Sequence, residues 1–172
     1  EPIVINDKTK STDTLKSMKV NIYKTGTNGD AVVLDGIEGA EFTIKLKADY
    51  ENALEQGYTY NEIWASKNAN GQYEVNGKVV TVSDARVKKA NEIAPSYDVI
   101  TTDAEGNAVS TYLPFSWYIC KETKTPKDFE SCTDFSFQIT NDETEVAVEK
   151  KVKYIVPNNK PFEAPVEILK ED

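Results

Sequence analysis

The feature that most constrains this chain is the spacing of its apolar residues, which recur at every second position in one short segment after another. In residues 18–24, Met18, Val20, Ile22 and Lys24 share one face; in residues 40–46, Ala40, Phe42, Ile44 and Leu46 do. Period two is the repeat of a half-buried strand, since successive side chains point to opposite faces of a sheet. Residues 97–102 and 108–113 flank a polar loop at 103–107 and are expected to form a hairpin. Residues 117–122, residues 133–139 with Phe135, Phe137 and Ile139 inward, and residues 152–158 complete the set. A turn is expected at residues 25–30, which hold Gly26, Asn28 and Gly29.

Helical spacing is confined to the middle. Asp49 is expected to cap a short helix carrying Tyr50, Ala53 and Leu54 on one face and closed by Gly57. Ser83 is expected to cap a second helix, with Val87, Ala90, Ile93 and Ala94 in phase and Pro95 as its stop. Between them Asn76-Gly77 marks a tight hairpin over residues 73–80. The fold class is therefore all-β: an immunoglobulin-like antiparallel β-sandwich interrupted by a mixed helix and hairpin insertion at residues 47–96. The insertion is expected to lean on the sandwich through Tyr50, Leu54, Ile63, Trp64, Val87 and Ile93, because its helices are too short to stand alone in water.

Composition narrows the chemistry. Among 172 residues there is no histidine, which removes serine–histidine and cysteine–histidine catalysis and histidine-ligated zinc. The net charge of −9 and the single arginine, Arg86, argue against a nucleic-acid partner. No run of 18 apolar residues occurs, so no membrane insertion is expected, and no signal-peptide pattern is seen. Cys120 and Cys132 are too few for a four-cysteine metal site; a disulfide between them and two separate thiols both stay open. Asp103, Glu105 and Asn107 alternate like part of a calcium loop, but a polar hairpin turn accounts for them, and no metal or cofactor is expected. Trp64 and Trp117 are expected in the core or in cross-strand pairs rather than in a sugar platform. No ordinary enzyme activity is expected.

Three polar residues remain that share a face with core positions. Lys24 follows Val20 and Ile22, Glu122 follows Tyr118 and Cys120, and Asn158 follows Tyr154 and Val156. A buried lysine, glutamate or asparagine is costly unless it is compensated.

These positions fall within a set of motifs. Val20-Asn21-Ile22-Tyr23-Lys24 is followed by Leu34-Asp35-Gly36 and Gly39-Ala40-Glu41-Phe42. Later come Thr102-Asp103-Ala104-Glu105-Gly106, Leu113-Pro114-Phe115 and Tyr118-Ile119-Cys120-Lys121-Glu122-Thr123-Lys124-Thr125-Pro126, and finally Tyr154-Ile155-Val156-Pro157-Asn158. Together they resemble the Cna B-type, or SpaA-type, domains of Gram-positive surface proteins and pilins. Ser116 stands where that family usually has glycine, and Gly26 where it often has an acidic residue.

The resemblance implies an intramolecular isopeptide bond between Lys24 and Asn158, formed autocatalytically with Glu122 as the proton shuttle. Burial disfavours charge on both groups, so Lys24 would attack as a neutral amine and Glu122 would serve as a neutral acid. Asn159 is the alternative acceptor, since a one-residue slip turns it inward.

The resemblance further implies a stalk or backbone module of a cell-wall-anchored protein, outside the bacterial cell. Its partners would be neighbouring tandem domains of the same chain. The alternative is an adhesin module whose insertion docks a host glycan or extracellular-matrix protein. The expected boundaries are 18–160 for the domain, 1–17 for the closing strand of a preceding module or an extension, and 161–172 for a linker and the next opening strand. Asn6 and Lys170 would match bond-forming positions of those neighbours, and the chain, cut from a longer protein, is expected to be a monomer with both unlinked.

Overall fold

A computed structural model describes residues 17–18, 20–28, 32–34, 36–127, 129–140 and 146–153. In chain order the elements are β1 (Ser17–Met18), β2 (Val20–Asn28), β3 (Val32–Leu34), β4 (Glu41–Leu46), α1 (Lys47–Glu55), α2 (Tyr60–Trp64), β5 (Ser66–Lys67), β6 (Tyr73–Val75), β7 (Lys78–Val79), α3 (Asp84–Ile93), β8 (Asp98–Thr101), β9 (Asn107–Val109), β10 (Leu113–Pro114), β11 (Ser116–Lys124), β12 (Phe135–Ile139) and β13 (Val146–Lys153).

One sheet has the strand order β12-β11-β4-β8, all antiparallel. The other has the order β13-β2-β3, with β9 also pairing β2. The apolar phase of the sequence builds the core on one face of the first sheet, which Ala108 of β9 joins from the second. Phe42, Ile44, Leu113, Tyr118 and Cys120 are all fully buried, with Ala40, Ile100, Ala108, Phe137 and Ile139 around them. The Tyr118 ring stacks on Phe137 at 5.5 Å, and its hydroxyl donates to the Pro114 carbonyl at 2.6 Å. Burial of each large side chain of this kind contributes about 2–3 kcal/mol.

Gly36 fits here because its φ of 86° is left-handed and a Cβ would lie 2.2 Å from the Glu105 carbonyl oxygen. The first-strand motif and the 103–107 hairpin thus meet backbone to backbone. Asp103 Oδ1 accepts from the amides of Glu105 and Asn107 at 2.9 and 3.0 Å, so this carboxylate closes a turn, as the hairpin expectation had it.

Several expectations shift in register. Residues 25–28, read as the start of a turn, continue β2: Gly26, Thr27 and Asn28 pair with Leu34, Val33 and Val32. The expected strand 108–113 is two short ones, because Asp98 Oδ2 draws the amide and hydroxyl of Thr111 out of the ladder at 2.8 and 3.1 Å. The last described strand begins at Val146, six residues before the expected 152, and it runs parallel to β2 rather than antiparallel. Residues 154–158 of the expected strand lie outside the described residues.

The insertion forms α1 to α3 and the small sheet β5-β6-β7, and it packs as its own cluster of Ala53, Ile63, Trp64, Ala90 and Ala94 with Ile119 of β11 beneath. Asp49 does not cap α1. The strand β4 runs directly into the helix, Leu46 is the N-cap without a side-chain bond, and Asp49 sits in the first turn, where the helix dipole favours an anion. Ser83 caps α3 as expected, accepting from the Arg86 amide at 3.2 Å.

Helix α2 was not foreseen. Its signal is the capping box Thr59-x-x-Glu62, in which Thr59 Oγ1 accepts from the Glu62 amide at 3.1 Å and Glu62 Oε1 accepts from the Thr59 amide at 3.0 Å. Arg86 then ties α3 to α2 through Glu62 Oε2 at 2.6 Å, which holds the Glu62 carboxyl below its ordinary range. Leu54, expected to pack on the sandwich, is 40% exposed, while Trp64 is 3% exposed.

Candidate functional site

Lys24 lies in the middle of β2. In the parallel ladder it stands opposite Lys150 of β13, so the first and last described long strands of the sandwich are neighbours. Asn158 and Asn159, and likewise Asn6 and Lys170, lie outside the described residues.

Glu122 is the one predicted site residue whose side chain is described. It is in register with Phe42 and in phase with Tyr118 and Cys120, so period two alone carries it to the inner face of β11. It is 2% exposed, and its Oε1 accepts from the Cys132 amide at 2.7 Å. The β11–β12 connection therefore folds back to hold the carboxylate. A carboxyl group fixed among apolar side chains is suited to carrying protons between two neighbours rather than to binding a solvated ion. Cys120 and Cys132 are both thiols.

Two further charged side chains are as deeply buried and were not singled out from the sequence. Lys45 is 1% exposed and Lys121 is 2% exposed. Both lie on the other face of the sheet, because Lys45 pairs with Ile119 and Lys121 with Thr43 in the β4–β11 ladder. The insertion covers that face and offers each lysine an asparagine.

Lys45 Nζ donates to Asn91 Oδ1 at 2.7 Å and to the Ala94 carbonyl at the end of α3, and it lies 5.3 Å over the Trp64 ring. Desolvation pushes its pKa down to about 8, against the weaker upward pull of Asp49. Lys121 Nζ donates to Asn76 Oδ1 and to Asp134 Oδ1, the latter at 3.4 Å, and lies 5.1 Å over the Tyr60 ring. The Tyr60 hydroxyl donates to Asp134 Oδ2 at 2.6 Å. Burial, then Asp134, raises the Tyr60 pKa, and a hydrogen bond from Asn76 opposes the shift. Beside this group a cleft of about 680 Å³ opens between the β6–β7 hairpin and the β11–β12 connection, with Lys121, Glu122 and Glu130 among its lining residues.

The only signal for the two lysines lies in the pairing of strands: each occupies the outward phase of its strand, which period two assigns to solvent. Among the described residues no group of three or more histidine, cysteine, aspartate or glutamate side chains is arranged to hold a metal ion. No described helix is long and apolar enough to cross a membrane.

The model of the SpaA prealbumin-like fold domain matches residues 18–153 of the chain. Among solved structures, the shaft pilin SpaA of Lactobacillus rhamnosus GG is similar at 16% identity and a TM-score of 0.50, over 81% of this chain and 52% of that one. GBS52, the minor pilin of Streptococcus agalactiae, is similar at 17% identity and a TM-score of 0.47, over 86% of this chain and 48% of that one. The chain thus spans about half the length of the solved pilins it matches. No curated protein matches it.

Proposed function

Because this chain belongs to the SpaA family of prealbumin-like fold domains, we propose that it is a structural stalk or backbone module of a cell-wall-anchored bacterial surface protein or pilin, strengthened by a self-formed bond between Lys24 and Asn158. The observation that carries the chemistry is Glu122, a carboxyl group 2% exposed on the core face of β11 and oriented by the Cys132 amide. The adjacency of β2 and β13 supports the mechanical part, since a bond between the first and last strands would take load that strand hydrogen bonds otherwise carry.

In the proposed reaction Lys24 Nζ attacks Asn158 Cγ, Glu122 takes the amine proton and passes it to the amide nitrogen, and ammonia leaves. The reaction happens once per chain. It closes a loop of more than 100 residues, which the chain-entropy treatment of cross-links values at about 5 kcal/mol. Lys24 stands opposite Lys150, eight residues before Asn158. The bond therefore requires the chain beyond Lys153 to bring Asn158 back to Lys24, or the two strands to pair in a shifted register.

Its partners in this reading are neighbouring domains of the same polypeptide, at the cell surface. The docking alternative needs an exposed aromatic platform on the insertion. Trp64 is buried, Tyr50, Tyr58 and Tyr60 pack against the insertion's own cluster, and the exposed large apolar residues of the insertion are Leu54 and Val79. The structural role is accordingly the one supported.

Mass spectrometry of a proteolytic digest tests the bond. A cross-linked pair of peptides joining Lys24 to Asn158 is expected, lighter by one ammonia than the two linear peptides together, and it should be absent in Glu122→Ala. Linear peptides containing Lys24 and Asn158 from the unaltered chain would refute it, and a link to Asn159 would move the acceptor by one residue.

A further inference from the structure

Lys121, Asn76, Asp134 and Tyr60 form a hydrogen-bonded cluster on the opposite face of β11 from Glu122. The amine is 2% exposed and in direct contact with the side-chain oxygen of Asn76. Asp134 reaches the same amine with Oδ1 at 3.4 Å and is held from behind by the Tyr60 hydroxyl on Oδ2 at 2.6 Å. Asp134 thus contacts the lysine amine directly and is itself fixed by Tyr60, beside the Asn76 amide that an exchange would open.

The tip of the hairpin places the acceptor. Asn76 and Gly77 have φ of 55° and 76°, the paired left-handed residues of a type I′ turn, with Val75 and Lys78 in register beside them. Asn76 is an exposed residue on the rim of the cleft, so expelled ammonia has a way out.

We propose that Lys121 and Asn76 are the partners of an additional isopeptide cross-link, independent of Lys24, that staples the insertion hairpin to β11. The protonated Lys121 amine gives a proton to Asp134. The neutral Nζ then attacks Asn76 Cγ, a new C–N bond forms, and the Cγ–Nδ2 bond breaks as the leaving nitrogen takes up the proton held by Asp134 and, by way of the same carboxylate, the second proton that Nζ sheds on becoming an amide. The products are a secondary amide and one ammonium ion, with no oxidant, metal or cofactor consumed. Fixing amine and amide in contact supplies the effective concentration that such an exchange lacks in solution.

The Lys45–Asn91 contact is a built-in control. Asn91 Nδ2 is held by the carbonyls of Val87 at 2.9 Å and Glu62 at 3.3 Å, which can deliver no proton, so this pair should stay unlinked.

The experiment is a proteolytic digest of the full 172-residue chain, read by tandem mass spectrometry. The expected result is a branched peptide joining Lys121 to Asn76, lighter by one ammonia than its two linear parts, while Lys45 and Asn91 are recovered unlinked. Asp134→Asn and Tyr60→Phe, which nearly preserve side-chain volume, should give folded proteins by circular dichroism in which the branched peptide is lost or forms more slowly. Because the peptides differ, failure of the Lys24 bond and failure of this one are read separately. Recovery of unmodified Lys121 and Asn76 from the unaltered chain overturns the proposal. So does an ammonia loss confined to a linear peptide, which would be ring closure at Asn76-Gly77. An undiminished branch in Asp134→Asn would remove Asp134 from the reaction.

Discussion

The two faces of the β4–β11 ladder are almost equally dry and are built from opposite materials. The inner face presents Phe42, Ile44, Tyr118 and Cys120, with Glu122 as its one charged member. The outer face presents Thr43, Lys45, Ile119, Lys121 and Thr123, yet Thr43 is 7%, Lys45 1% and Lys121 2% exposed. On the inner side burial itself stabilises, since apolar area leaves water. On the outer side burial costs, and asparagine oxygens, a helix-end carbonyl, Asp134 and aromatic rings offset that cost. The difference suggests how the molecule is organised. The outer face has the residue types of a solvated sheet surface, and the insertion is a cover laid over it. The inner face has no such option and must stay closed.

The largest test of that contrast is truncation on the inner side. Phe42 is fully buried and packs edge-on against Phe135 at 6.2 Å. Phe42→Ala should cost about 3–5 kcal/mol in chemical denaturation, the range for emptying a large aromatic site in a core. A loss well under 1 kcal/mol would mean that this face is loosely packed and the contrast unfounded.

A smaller effect is expected at Lys45, and it depends on pH. Its folded pKa, about 8, lies below its ordinary value of 10.5. Between those two values the unfolded chain binds more protons than the folded one, so stability should rise with pH across that window and be flat, for this group, below it. The rise amounts to at most about 3 kcal/mol. Comparing the chain with Lys45→Met by urea denaturation at several pH values isolates it, because the tyrosines titrate in both. Parallel curves for the two proteins would show that Lys45 is hydrated after all.

The smallest effect on the sandwich should come from the largest change in sequence. Replacing residues 50–94 by a short Gly-Ser linker returns Thr43, Lys45, Lys121 and Thr123 to water, which suits them, and exposes one apolar side chain, Ile119. The product should still melt cooperatively within several degrees of the parent, and the Lys45 pH effect should vanish with the cover. An unfolded product would make the insertion part of the core.

The inner face was legible in the sequence for a simple physical reason. Apolar residues at period two can be buried on one side only, so Phe42, Ile44, Tyr118, Cys120 and Phe137 declared their phase, and Glu122 came with them. Local chemistry was legible where it is local: Ser83 as a helix cap, and Asn76-Gly77 as a tight turn. The Thr59–Glu62 box was equally local, and its helix went unread although the signal was present.

Only the tertiary structure decided the rest. Period two assigns Lys45 and Lys121 to the outward side but cannot say whether water or another part of the chain lies there, because the covering residues are distant in sequence: Asn76 is 45 residues from Lys121, and Asn91 is 46 from Lys45. The same holds for the last described strand. Alternation shows that a segment can be a strand, while its start at Val146 and its parallel register with β2 depend on backbone groups that every residue carries alike.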